Sequence, residues 1–98
     1  IGAYEPRDFM KSAHINPEEA VKVFSDLGAK YAIGIHWGTF KLTLEPMKEP
    51  PERLKKALKA SGVDGKIFRT LKHGEMWPEV LPNSQCITST KVKCCKYY

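Results

Sequence analysis

Apolar and polar positions alternate legibly in four stretches, and each predicts an element. The clearest is Asn16-Pro17-Glu18-Glu19, followed by Ala20, Val21, Phe24 and Leu27 at helical spacing. Asn16 can cap, Pro17 suits the first helical position, and two glutamates face the positive end of the helix dipole. Glu19 stands where it can reach back to the Asn16 amide as in a capping box, and Gly28 supplies a stop. The pattern predicts a helix over 17–27 that lays its Phe24 face on a sheet. Tyr31-Ala32-Ile33-Gly34-Ile35 is β-branched and aromatic, and predicts a buried strand over 31–36. Pro51 near a helix start, the stripe Leu54, Ala57 and Leu58, and Gly62 as a stop predict a second helix over 51–61. Ile67 to Leu71 alternates in part and predicts a short strand after the Val63-Asp64-Gly65 turn.

The connecting stretches are less regular. Ile1-Gly2-Ala3-Tyr4 reads as the end of a strand, and Glu5-Pro6-Arg7 interrupts it, so a loop is expected from there to His14, anchored by Phe9-Met10. Residues 37–50 carry Trp37, Phe40, Leu42, Leu44 and Met47, too many apolar side chains for a loop that does not pack down on something. Residues 76–98 show no periodicity and read as an irregular tail. A helix returning through a short loop to a strand is the unit of a layered α/β fold.

Composition narrows the class. At 98 residues the chain holds at most one domain. With 42% hydrophobic and 28% charged residues it has a globular rather than a disordered composition. No apolar run approaches the roughly 18 residues of a membrane span, and no basic-then-apolar leader is present. An intracellular place, cytoplasmic or peripheral on membranes, is therefore expected. The net charge of +5 gathers in Arg53, Lys55, Lys56 and Lys59 and in Lys91, Lys93 and Lys96. It permits contact with anionic headgroups or nucleic acid, but solvated lysine faces on helices are the common case. Nucleic acid is disfavoured, because the aromatic residues are not interleaved with the basic ones as a stacking platform needs. Cys86, Cys94 and Cys95 lack the paired C-x-x-C spacing of a zinc site, and free thiols are the default. Adjacent Cys94 and Cys95 beside lysines are a weak acylation signal.

Three histidines are the candidates for chemistry. His36 stands at the expected strand end before Trp37-Gly38. A neutral imidazole there can bind a metal, move a proton or hydrogen-bond an oxyanion, or it can be a core histidine satisfied by a carbonyl. His14 lies in a loop just before the first helix, and either a site role or plain solvent exposure suits it. His73 precedes Gly74 and reads as a surface turn residue.

Three stretches, taken in order, carry a resemblance: Ile1-Gly2-Ala3-Tyr4-Glu5-Pro6-Arg7, then His14-Ile15-Asn16-Pro17-Glu18-Glu19-Ala20, then Ile35-His36-Trp37-Gly38-Thr39-Phe40 with Glu49-Pro50-Pro51. Together they resemble the C-terminal part of the N-acyl-phosphatidylethanolamine-hydrolysing phospholipase D family, within the metallo-β-lactamase superfamily. The resemblance covers residues 1–75, which it marks as the C-terminal part of a hydrolase domain. It implies an α/β fold, the second half of an αββα sandwich with two zinc ions in the complete enzyme. It further implies that His36 is a zinc ligand and that His14 is catalytic, meeting the scissile phosphate of the substrate. The implied reaction cleaves N-acyl-phosphatidylethanolamine to N-acylethanolamine and phosphatidic acid. The implied partners are phospholipid and a membrane surface touched peripherally, with room for a homodimer. The superfamily motif His-x-His-x-Asp-His is absent from this sequence, so the remaining ligands are expected outside it and the fragment alone is expected to be inactive. Family members usually carry Trp at the position of Asp8, and a bulkier, glutamine-containing pair at Ser12-Ala13. Two alternatives stand beside this reading. One is a non-catalytic remnant or splice product acting by membrane or partner binding; the other is a metal hydrolase of a different ester.

Overall fold

A computed structural model of the chain describes residues 1–77. The chain is mixed helix and strand: α1 (Arg7–Met10), α2 (Pro17–Leu27), β1 (Ala32–Gly34), α3 (Glu49–Ala60) and β2 (Phe68–Thr70). The irregular tail expected over 76–98, with Cys86, Cys94, Cys95 and the distal lysines, lies almost wholly outside the described residues.

α2 forms as its local signals dictate. The Asn16 side chain accepts from the Glu19 amide at 2.8 Å, and the Glu19 carboxylate accepts from the Asn16 amide at 3.0 Å. Gly28 closes the helix in the left-handed conformation, φ 62°, which glycine enters without a Cβ clash. α3 starts two residues earlier than the stripe predicts, at Glu49. Pro50 and Pro51 sit in its first turn, where backbone N–H groups have no intrahelical acceptor, so missing donors cost nothing.

β1 and β2 pair in parallel, with Ala32 opposite Phe68 and Gly34 opposite Thr70. α3 is the crossover between them, the connection that parallel strands require. Ala20, Val21 and Phe24 of α2 meet Leu54, Ala57 and Leu58 of α3 and Phe68 of β2 in one buried cluster. The Phe24 and Phe68 rings lie 5.3 Å apart. The helices thus share a core with the sheet, as their apolar stripes predict, and Lys55, Lys56 and Lys59 face solvent.

Four expectations are corrected. The strand over 31–36 shrinks to three residues and is not buried: Ile33 and Ile35 are 46% and 72% exposed, while Gly34 is covered. Helices cover one face only, so the alternate side chains meet water. Ile1–Tyr4 is not part of a regular strand, although the Ile1 amine donates to the Ile35 carbonyl at 2.7 Å. The expected loop after Tyr4 contains a one-turn helix, α1, begun by Phe9 and Met10 amides donating to the Pro6 carbonyl; four residues are too few to show a period. The apolar loop 37–50 does not pack down: Phe40, Leu42 and Leu44 are 74%, 63% and 72% exposed.

Arg53 on α3 ties the layers together. Its Nε donates to Glu18 of α2 at 2.7 Å, and its guanidinium lies 4.9 Å from the centre of the buried Tyr4 ring. Burial, with the nearby Glu49 charge, pushes the Tyr4 phenol up to about 12, although Arg53 opposes the shift. The guanidinium stacks on the ring, and the Tyr4 hydroxyl has no hydrogen-bond partner among the described residues.

Candidate active site

The two histidines singled out by the ordered motifs come together. The His14 and His36 ring centroids are 5.4 Å apart, with the planes tilted by 44°. Each is delivered by a different local device.

His14 is half-buried and follows the turn after α1. Its amide donates to the Met10 carbonyl at 2.9 Å. Its carbonyl accepts from Arg7 Nη1 at 2.8 Å, while Arg7 Nη2 donates to both oxygens of Glu19 at 2.7 Å. Arg7 therefore joins the loop that carries His14 to the capped start of α2. The Glu19 carboxyl is held below its ordinary value, first by the Asn16 amide and further by Arg7, against some opposing desolvation.

His36 lies two residues past β1 with φ 65°. That left-handed backbone costs an L-residue roughly 1–2 kcal/mol, and histidine is among the few types enriched there. Ala3 is the other non-glycine residue with positive φ among the described residues, at 57°. The two meet through Gly2: a Cβ on Gly2 would stand 2.1 Å from the His36 carbonyl oxygen and 3.4 Å from the Trp37 Cα. Only glycine allows this backbone approach.

Beside His36 opens a cleft of about 300 Å³, walled by Trp37, Phe40, Leu42 and Met47, with Gly2 and Ala3 on its other side. Glu45 also borders it and is the buried acid of the described residues, 7% exposed. Its Oε1 accepts from the Tyr4 amide at 3.0 Å, and its Oε2 accepts from the Glu5 amide at 3.3 Å and from the Thr43 hydroxyl. Burial opposes the charge most strongly, but the Thr43 hydroxyl and the backbone amides outweigh it and hold the Glu45 carboxyl below its ordinary value.

Imidazole nitrogens are donors that zinc accepts, and a zinc site takes three or four protein ligands. Among the described residues no group of three or more His, Cys, Asp or Glu is gathered to hold a metal. The described residues therefore bring together two donors of the right chemistry, short of a complete site. His73 is exposed in a turn, as expected; its Nε2 lies 3.1 Å from Thr39 Oγ1, so it touches the loop after His36. Sequence reading missed Arg7, Gly2 and Glu45. The available signal for Glu45 was an acid set between Leu44 and Pro46 in a loop rich in large apolar residues.

Known proteins are similar to this chain in sequence. No family model matches the chain. It is 49% identical over 79 residues, 79% of its length, to N-acyl-phosphatidylethanolamine-hydrolyzing phospholipase D 1 of Caenorhabditis elegans. It is 39% identical over 67 residues, 68% of its length, to the mitochondrial N-acyl-phosphatidylethanolamine-hydrolyzing phospholipase D of Saccharomyces cerevisiae. An uncharacterized protein of Mycobacterium tuberculosis is 44% identical over 57 residues. The chain is homologous to a segment of proteins named N-acyl-phosphatidylethanolamine-hydrolyzing phospholipase D. The segment is short: it spans 22% of the nematode protein and 14% of the yeast one.

Proposed function

We propose that this chain is the C-terminal part of a zinc-dependent phosphodiesterase that cleaves N-acyl-phosphatidylethanolamine to N-acylethanolamine and phosphatidic acid. The observation that carries the reading is the pairing of His14 and His36 at 5.4 Å, because the two residues that the resemblance assigns to one active site are neighbours in this fold. The mixed α/β layer, with both helices on one side and Ile33 and Ile35 bare on the other, suits one half of an αββα metallo-β-lactamase sandwich.

In this proposal His36 is one zinc ligand, and the other ligands come from outside the chain. Zinc held there would supply Lewis-acid chemistry suited to a negatively charged phosphodiester. His14 meets the phosphate and hydrogen-bonds an oxygen of the phosphodiester, its position set by Arg7 and Glu19. The exposed Phe40, Leu42 and Leu44 and the lysine face of α3 suit peripheral contact with a lipid surface. No helix of the described residues is long and apolar enough to cross a membrane.

The test uses the intact protein that carries this segment, presented with N-acyl-phosphatidylethanolamine vesicles and followed by mass spectrometry of the products. The proposal expects N-acylethanolamine and phosphatidic acid in equal amounts, lost with a chelator and restored by zinc. Release of free fatty acid or diacylglycerol instead would contradict it.

A further inference from the structure

We propose that Glu45 is a positioning residue for His36, acting through the backbone of Gly2 to Glu5. The proposal rests on the reading of His36 as a metal ligand. His36 has a strained left-handed backbone, so something must hold it there. The segment pressed against it is Gly2, whose α-carbon leaves no room for a Cβ beside the His36 carbonyl. That segment has no helix or strand of its own; it is fixed at its far end by Glu45.

The fixing is specific to a carboxylate. Both oxygens of Glu45 are used, Oε1 by the Tyr4 amide and Oε2 by the Glu5 amide and the Thr43 hydroxyl. All are donors, so only a group that accepts at both oxygens satisfies them. A glutamine would turn an NH₂ toward a donor and lose one side of the clamp. The Leu44 amide returns a bond to the Glu5 carbonyl at 3.4 Å, which aligns the two segments. A buried charge is retained only where such bonds compensate it. At 7% exposure, Glu45 makes its bonds to the segment that abuts the candidate ligand. Groups bonded directly to a metal ligand are worth about 10- to 100-fold in metal affinity when removed; Glu45 acts through one intervening backbone segment, so its effect falls at the lower end of that range.

The experiment is made on the intact zinc protein with Glu45→Gln, Thr43→Val, Thr43→Ser and, as reference, His36→Ala. Zinc dissociation constants are measured by chelator competition, and Tm is measured with and without zinc. The expected result for Glu45→Gln is a zinc dissociation constant raised by about 10-fold and a smaller zinc-induced rise in Tm. Thr43→Val should move both readouts the same way by less, and Thr43→Ser, which keeps the hydroxyl, should restore them. If Glu45→Gln does not fold, the Thr43 pair decides by the same readouts. A lower metal-free Tm with an unchanged zinc dissociation constant in Glu45→Gln and Thr43→Val would overturn the proposal and leave Glu45 a structural pin only. His36→Ala binding zinc as the wild type does would instead remove the ligand reading, and the proposal with it.

Discussion

Gly2 lies so close to His36 that a Cβ on it would meet the His36 carbonyl oxygen at 2.1 Å. The obstacle is backbone on both sides, so no side chain can swing away to make room. Gly2→Ala should therefore destabilise the protein by about 1–3 kcal/mol, as overpacked sites do, and shift the amide resonances of Ile35 to Trp37. Chemical denaturation and backbone NMR of the variant check this. Wild-type stability with unmoved resonances would show that the two segments are not pressed together.

The His36 backbone makes a separate prediction. At φ 65° a glycine is relaxed where histidine is strained. In the metal-free protein His36→Gly should be more stable than His36→Ala by about 1–2 kcal/mol, because alanine keeps the Cβ clash and glycine removes it. Unfolding midpoints of the two variants measure the difference. Equal midpoints would mean that His36 leaves the left-handed region when metal is absent.

Much of the helical structure is legible in the sequence, because the signals for helix ends are local. Asn16, Glu19 and Gly28 are each within one turn of the end they define, and α2 has the bounds they predict. The strands are less legible: three residues pair at each, and what covers Ile33 or Ile35 is not encoded nearby. The same holds for the site. His14 and His36 stand out by motif, but Gly2 against His36 and Glu45 against Tyr4 are contacts between segments some 30 to 40 positions apart. The bonds that satisfy a buried carboxylate cannot be read from its neighbours Leu44 and Pro46.

Stability should fall on acidification because Glu19 and Glu45 are both held below their ordinary carboxyl value of 4.5. A depressed folded value means that the contribution is complete above the unfolded value and is lost as pH falls through the folded one. The unfolding free energy should therefore be flat above about pH 5 from these groups and decline below 4.5. Glu19→Gln, which cannot titrate, should make that decline shallower. An unchanged acid slope in the variant would contradict the assignment.

The 98-residue chain by itself should neither turn over N-acyl-phosphatidylethanolamine nor hold zinc stoichiometrically. Among the described residues the two imidazoles brought together fall short of the three or four ligands of a zinc site. Metal analysis of the purified chain with a product assay checks this, and turnover by a zinc-loaded monomer would contradict it.

The most direct measurement is zinc content and steady-state kinetics of His36→Ala and His14→Ala in the intact protein. His36→Ala should lose or weaken one zinc together with activity, because an inner-sphere bond is gone. His14→Ala should keep its zinc and lose about 100- to 1,000-fold in kcat, the range for removing one transition-state hydrogen bond. His73→Ala, at the exposed turn, should change little. Full zinc and full activity in His36→Ala would contradict the role given to His36 and, with it, the proposed hydrolase site.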